Sequence, residues 1–235
     1  MPFQNVFKRY EFKYLITKSQ KERILKEISP FMTLDKYGHS KISNVYFDTD
    51  TYLLIRRSIE KPVYKEKLRI RKYSSSDKVF VELKKKYKHV VYKRRLSLNE
   101  DDAFAWLVDK SFTPPQSQIT NEIDHFCNYY ITLHPTLFLS YEREAFYSDN
   151  HPAFRLTFDE NVLCRENELN FTSNAPQTHV LSDDNVLMEI KCTGGIPLFM
   201  TNILSRNKIY KTSFSKYGTA YKNIILPKLL SKEKL

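Results

Sequence analysis

Charged and apolar residues alternate along Tyr64–Tyr73, YKEKLRIRKY. In an extended chain Lys65, Lys67, Arg69 and Arg71 share one face, and Tyr64, Glu66, Leu68 and Ile70 the other. This period of two predicts a strand over Val63–Tyr73, followed by strands over Lys78–Lys86 and Val90–Leu98. The turns between them are short enough for an antiparallel meander. The same alternation predicts strands at Phe7–Ile16, Ile42–Phe47, Leu137–Tyr147, Ala153–Val162 and Asn185–Cys192. Helical spacing appears between them. Thr17 and Gln20 can form a capping box ahead of an Ile24, Leu25, Ile28 stripe that Pro30 stops. Asp50 is placed to cap a short helix to Ile59, and Asn99 one over Glu100–Lys110. Gln118–Thr132, Ile196–Asn207 and Lys216–Ile225 complete the helices.

The polar faces of these strands share one composition. They carry Arg9, Glu11 and Lys13; Lys65, Lys67, Arg69 and Arg71; Glu82, Lys84 and Lys86; Lys93 and Arg95; Arg143; Arg155, Thr157 and Asp159; and Glu189 and Lys191. At an effective dielectric of about 20, same-face cations spaced about 6.6–6.8 Å along a strand repel by roughly 2 kcal/mol per pair. That is tolerable on open surface; an enclosed row needs anions. Ordinary half-exposed strands, with lysines on the wet side, would explain any one segment. Repetition over so many strands, and arginines suited to bidentate oxygen recognition, favour a sheet curled with its charges inward. The expected fold is α+β: a closed antiparallel β-barrel, a tunnel, of about eight strands with a charged lumen, surrounded by helices.

The 235 residues fit a single domain over 1–235. The net charge of +11 points to an anionic partner. With only four glycines and no G-x-x-x-x-G-K-[ST] or G-x-G-x-x-G, phosphates would be held by side chains. Tyr and Phe fall mostly opposite the charges, which disfavours a stacking surface for nucleic acid. Cys127, Cys164 and Cys192 are widely spaced, without C-x-x-C, and fit a reducing compartment. No signal-like leader or 18-residue apolar run is seen, so a soluble cytoplasmic protein without a membrane span is expected. Glu82 and Glu189 lie among the cations. A purely anion-binding groove would exclude them, whereas Mg²⁺ or Mn²⁺ takes carboxylates together with substrate phosphates.

RYEFKYLI, YFDT, EKLRIRKY, VFVELKKK, YKRRLSL, YEREAF, FRLTFDENV, LMEIKC and SFSKYGTAY occur in that order. Together they resemble the VTC domain, the polyphosphate polymerase branch of the triphosphate tunnel metalloenzymes, over about residues 5 to 226. The resemblance implies an eight-stranded antiparallel tunnel. It also implies a metal-dependent enzyme that moves the terminal phosphate of ATP onto inorganic polyphosphate. By motif, Lys13, Arg69, Arg71, Lys84, Lys93, Arg143 and Arg155 would act on the phosphates. Glu189 would bind the metal beside Lys191, and Ser215 and Lys216 would close on the phosphate end. Lys65, Lys67 and Arg95 rest on the strand faces alone, and Glu82 is either a second metal ligand or a lysine partner. Hydrolase relatives carry E-x-E-x-K where this chain has Arg9, Glu11 and Lys13, which weakens a triphosphatase or cyclase assignment. The SPX domain and membrane helices of eukaryotic VTC subunits are not found, so export would need a membrane partner protein. Alternatives are a catalytically silent polyphosphate- or inositol-phosphate-binding module and a tunnel-fold triphosphate hydrolase.

Overall fold

The computed structural model describes residues 10–88 and 90–232, so Arg9, the start of the first expected strand and His89 lie outside it. Hydrogen bonding orders the strands β1 (Tyr10–Thr17), β9 (Asn185–Cys192), β7 (Arg155–Arg165), β6 (His134–Tyr147), β2 (Thr33–Asp48), β3 (Tyr64–Tyr73), β4 (Val79–Tyr87) and β5 (Val90–Leu98). The short β8 (Thr178–His179) pairs with β7. The path ends at β1 and β5, and no pairing joins those two among the described residues. The fold is an antiparallel α+β sheet with helices, in two compact units.

The first unit comprises Met1–Ser40, Tyr141–Val162 and Leu181–Ser215. Thr17 ends β1 and caps α1 (Lys18–Ile28): its hydroxyl accepts from Gln20 N, and its own N–H donates to the Gln20 side chain. The apolar stripe of α1, Ile24 and Ile28, and Met200, Ile203 and Leu204 of α5 (Leu198–Arg206) cover one strand face. Beneath them lie Tyr14 and Ile16 of β1, Leu156 and Phe158 of β7, and Val186, Met188 and Ile190 of β9. Each such side chain contributes about 1.5–3 kcal/mol on burial. Alternation then puts Glu11, Lys13, Thr157, Glu189 and Lys191 on the face turned away from those helices.

The second unit comprises Lys41–Ser140, Leu163–Val180 and Lys216–Leu235. Its core sets Val45, Phe47, Leu68, Ile70, Val81 and Leu83 of the strands against helix residues. These are Trp106 and Leu107, in the π-helical turn Ala105–Asp109 that continues α3 (Glu100–Phe104), and Ile123 and Phe126 of α4 (Gln118–Tyr129). Lys65, Lys67, Arg69, Arg71, Glu82, Lys84, Lys86, Lys93 and Arg95 take the opposite face. Glu66, Lys72, Lys85 and Arg94 lie on the helix side, where Lys72 pairs with Glu100, and Lys85 and Arg94 pair with Glu122. Lys216 opens α6 (Lys216–Ala220), which runs through a second π-helical turn into α7 (Leu226–Lys232).

Asn99 stands at the N-cap of α3 as expected but without its bond, and the expected cap at Asp50 is replaced. Helix α2 (Leu53–Ile59) is capped by Asp48 rather than Asp50. The Asp48 carboxylate accepts from Leu54 N (2.8 Å) and Ile55 N (2.9 Å), because Tyr52 turns the chain at φ 56° and brings the helix start back over β2. Asn99 makes no capping bond; its amide donates to Asp102. Strand β2 also begins at Thr33, well before the expected Ile42.

Candidate functional site

In the second unit the register sets three rows across β3, β4 and β5: Lys65–Lys86–Val91, Lys67–Lys84–Lys93 and Arg69–Glu82–Arg95. Directly opposite residues project on one face. Glu82 is 1% exposed and gathers four cations. Arg69 donates from Nε (2.9 Å) and Nη2 (2.7 Å) to Oε2; Arg71 Nε stands 3.9 Å from the same atom. Lys93 Nζ lies 2.6 Å and Arg95 Nε 3.4 Å from Oε1. Burial alone would raise the Glu82 pKa, but Arg69, Arg71 and Lys93 outweigh it and hold the carboxylate far below its usual range. One anion against four cations leaves this cluster strongly positive.

Strand β2 frames that cluster with neutral polar groups which the alternation did not single out. Asn44 accepts from Arg71 Nε (2.9 Å), and the Tyr46 hydroxyl accepts from Arg69 Nη1 (3.0 Å). Burial would raise the Tyr46 pKa, yet the fields of Arg69 and Arg71, with a further contribution from Lys216, bring it below the usual phenol value. Tyr73 is lowered in the same way by Arg71. For Lys93, burial lowers the pKa and Arg69 and Arg71 push it down further, against the pull of Glu82. Arg95 lies over the Phe80 ring at 3.6 Å. Tyr217, next to Lys216, is fixed by its hydroxyl to Asp48 (3.0 Å) and stacks on Tyr46. A YFD stretch preceding a capped helix was the sequence signal that could have exposed Tyr46 and Asp48 together.

In the first unit Glu189, 6% exposed, is opposite Lys13 on β1 and Thr157 on β7. Lys13 Nζ stands 3.4 Å from both Glu11 Oε1 and Glu189 Oε1, and donates to Phe214 O at 3.1 Å. That bond, with the Thr212 N–H to Lys13 O, ties the segment leading to Ser215 onto β1. Arg143 Nη2 and Lys191 Nζ each lie 3.7 Å from Glu189 Oε2. Arg143 also grips fully buried Asp159 (2.5 and 2.7 Å), and that carboxylate more than offsets burial to raise its pKa. For Lys191, burial is the main effect and lowers the pKa. Arg155, opposite Lys191, does not join this group: its side chain is 60% exposed and it pairs with Asp35 (3.5 Å).

Each set therefore gathers its own members. Arg69, Arg71, Lys93 and Arg95 meet at Glu82, with Lys67 and Lys84 in the adjoining row. Lys13, Arg143 and Lys191 meet at Glu189. The two carboxylates differ as metal donors. Both oxygens of Glu82 face cations at close range, which does not suit a second cation. Glu189 and Glu11 converge on one ammonium position, and the Thr157 hydroxyl lies across from Glu189 with no hydrogen-bond partner among the described residues. No group of three or more His, Cys, Asp and Glu gathers for a metal among the described residues. A divalent ion here would take one or two carboxylates and complete its shell from substrate phosphates and water.

Each unit thus turns a cationic strand face with an isolated buried carboxylate away from its packed helices, an arrangement suited to an anionic ligand. The VTC domain family model matches residues 8–225, and the chain belongs to that family. Among solved structures it is similar to a "putative adenylate cyclase" of Bacillus halodurans, with TM-score 0.56, 15% identity, and 90% of this chain and 94% of that one covered. It is similar also to a "putative adenylyl cyclase" of Hippeastrum described as having a dominant triphosphatase activity, with TM-score 0.54, 14% identity and the same coverage. These likenesses show the fold. No curated protein is matched by sequence. Among the described residues no helix is long and apolar enough to cross a membrane.

Proposed function

We propose that this chain is a metal-dependent polyphosphate polymerase, one VTC-type domain that moves the terminal phosphate of ATP onto a growing polyphosphate chain. The closed eight-stranded tunnel with a charged lumen belongs to this proposal. It is supported by membership of the VTC family, by an eight-strand path, and by the Glu82 and Glu189 clusters lying on strand faces opposite those packed against helices. The observation that carries the reading is the Glu82 cluster, where four cations face one buried carboxylate.

Phosphoryl transfer develops little covalent demand on the protein; positioning and charge neutralisation do the work. In the proposal Arg69, Arg71, Lys93 and Arg95 bind non-bridging oxygens, and Lys67 and Lys84 extend that grip along the substrate. Glu82 keeps the four cations ordered when no phosphate is bound. Lys13, Arg143 and Lys191 hold the transferred phosphate beside Glu189, and Arg155, Ser215 and Lys216 are further phosphate contacts in the same proposal. A divalent ion, Mn²⁺ or Mg²⁺, held by Glu189 with the substrate phosphates would supply additional charge neutralisation. The bond from the γ-phosphorus to the ADP oxygen breaks, ADP leaves with the electron pair, and an anionic terminal oxygen of the acceptor chain bonds to that phosphorus. No side-chain nucleophile is needed. Water in the acceptor's place gives hydrolysis, the activity described for the Hippeastrum relative.

Two variants separate binding from turnover. Glu189→Gln should abolish turnover while leaving polyphosphate affinity within about threefold, whereas Arg69→Ala should weaken tripolyphosphate binding at least about tenfold, the loss of one charge-assisted bond. Full turnover in the first variant removes the metal role of Glu189. Undiminished affinity in the second removes the cationic site.

A further inference from the structure

Thr157 sits on β7 with 6% of its surface exposed, and its hydroxyl meets no hydrogen-bond partner among the described residues. Buried hydroxyls are ordinarily bonded, and one left unpaired lowers stability. A valine of nearly the same shape would avoid that cost. The register places Thr157 opposite Glu189, itself opposite Lys13, while Arg155 and Lys191 form the next row on the same face. Its neighbour Asp159 is occupied by Arg143. Thr157 therefore shares a strand face with the Glu189 group, and its hydroxyl bonds to none of that group's described members.

We propose that Thr157 is a further binding residue of this site, its hydroxyl donating to a non-bridging oxygen of the phosphate held beside Glu189. The inference rests on the proposed function and names a contact that reading did not contain. A neutral donor suits this position. Lys13, Arg143 and Lys191 already balance Glu11, Glu189 and Asp159 in charge, so another cation would compete for the same carboxylates. A hydroxyl adds one directed bond without changing that balance.

The test measures tripolyphosphate binding by calorimetry, with and without Mn²⁺, on the full chain and on Thr157→Val and Thr157→Ser. The valine variant should bind roughly tenfold to a hundredfold more weakly, the range for a hydrogen bond to a charged group. The serine variant should stay within about threefold of the parent, since its hydroxyl can make the same bond. Without ligand, Thr157→Val should melt at the parent's temperature or above it, because a buried unpaired hydroxyl has been removed. Unchanged affinity in the valine variant would overturn the inference. So would a valine variant that melts well below the parent or fails to fold, because the hydroxyl would then have a structural partner. A parent chain that binds no tripolyphosphate in either condition would instead sink the proposed function, and this contact with it.

Discussion

Replacing Glu82 by glutamine isolates the electrostatic core of the second unit. Its carboxylate lies 2.7, 2.6, 3.4 and 3.9 Å from Arg69, Lys93, Arg95 and Arg71. At an effective dielectric of about 20, a pair at about 4 Å attracts by roughly 4 kcal/mol before desolvation is subtracted. Breaking a buried pair by removing one partner costs about 3–5 kcal/mol, because the remaining charge is left uncompensated. At about 2–4 °C per kcal/mol for a chain of this size, Glu82→Gln should lower the melting temperature by about 6–20 °C. Trp106, the single tryptophan, is 4% exposed and donates to Asp124, so its emission reports the transition. Tripolyphosphate should reverse much of the loss and stabilise the variant more than the parent, since an anion then takes the carboxylate's place. Acid titration supplies a second readout. The folded pKa of Glu82 lies below its ordinary 4.5, so on acidification the unfolded chain takes up the proton first. The carboxylate's stabilisation is complete above about pH 4.5 and is lost as the pH falls towards the folded value; Glu82→Gln should flatten that decline. A loss under about 1 kcal/mol, or equal stabilisation of variant and parent by ligand, would refute the reasoning.

Other outcomes follow from the same geometry. Tyr217→Phe removes the hydroxyl that reaches buried Asp48 and should cost about 1–2 kcal/mol in urea denaturation; a neutral result would mean Asp48 needs only its backbone donors. Asp159→Asn should weaken tripolyphosphate binding by releasing Arg143, with Arg143→Lys unable to compensate because the two-point grip needs a guanidinium; parental affinity in both variants would show that the pair is structural only. Arg155→Ala should change affinity less than Arg69→Ala, because Arg155 is largely exposed and tied to Asp35; an equal loss would place it in the binding group.

Much of the strand pattern could be read from alternation because each strand buries one face. Asn185–Cys192 has the bounds expected, and the rows of β3, β4 and β5 follow from short turns that fix the register. The Thr17–Gln20 capping box is local and was equally visible. Strand β2 was shortened in expectation because DKYGHSK has no apolar alternation before Ile42. Asp48 in place of Asp50 depends on the backbone turn at Tyr52, which no propensity announces. The partners of Arg143 and Arg155, Asp159 and Asp35, are set by pairing between distant segments. Lysine and arginine positions were therefore predictable from the chain, whereas which carboxylate each one meets was not. The strand-face pattern suggested a metal near Glu82 or Glu189, and the resemblance singled out Glu189.

The most direct test of the central claim is the chain-length distribution of phosphate products after the purified protein is incubated with ATP and Mn²⁺. The account predicts phosphate chains that lengthen as ADP accumulates. Orthophosphate as the sole product, or no consumption of ATP at all, would contradict it.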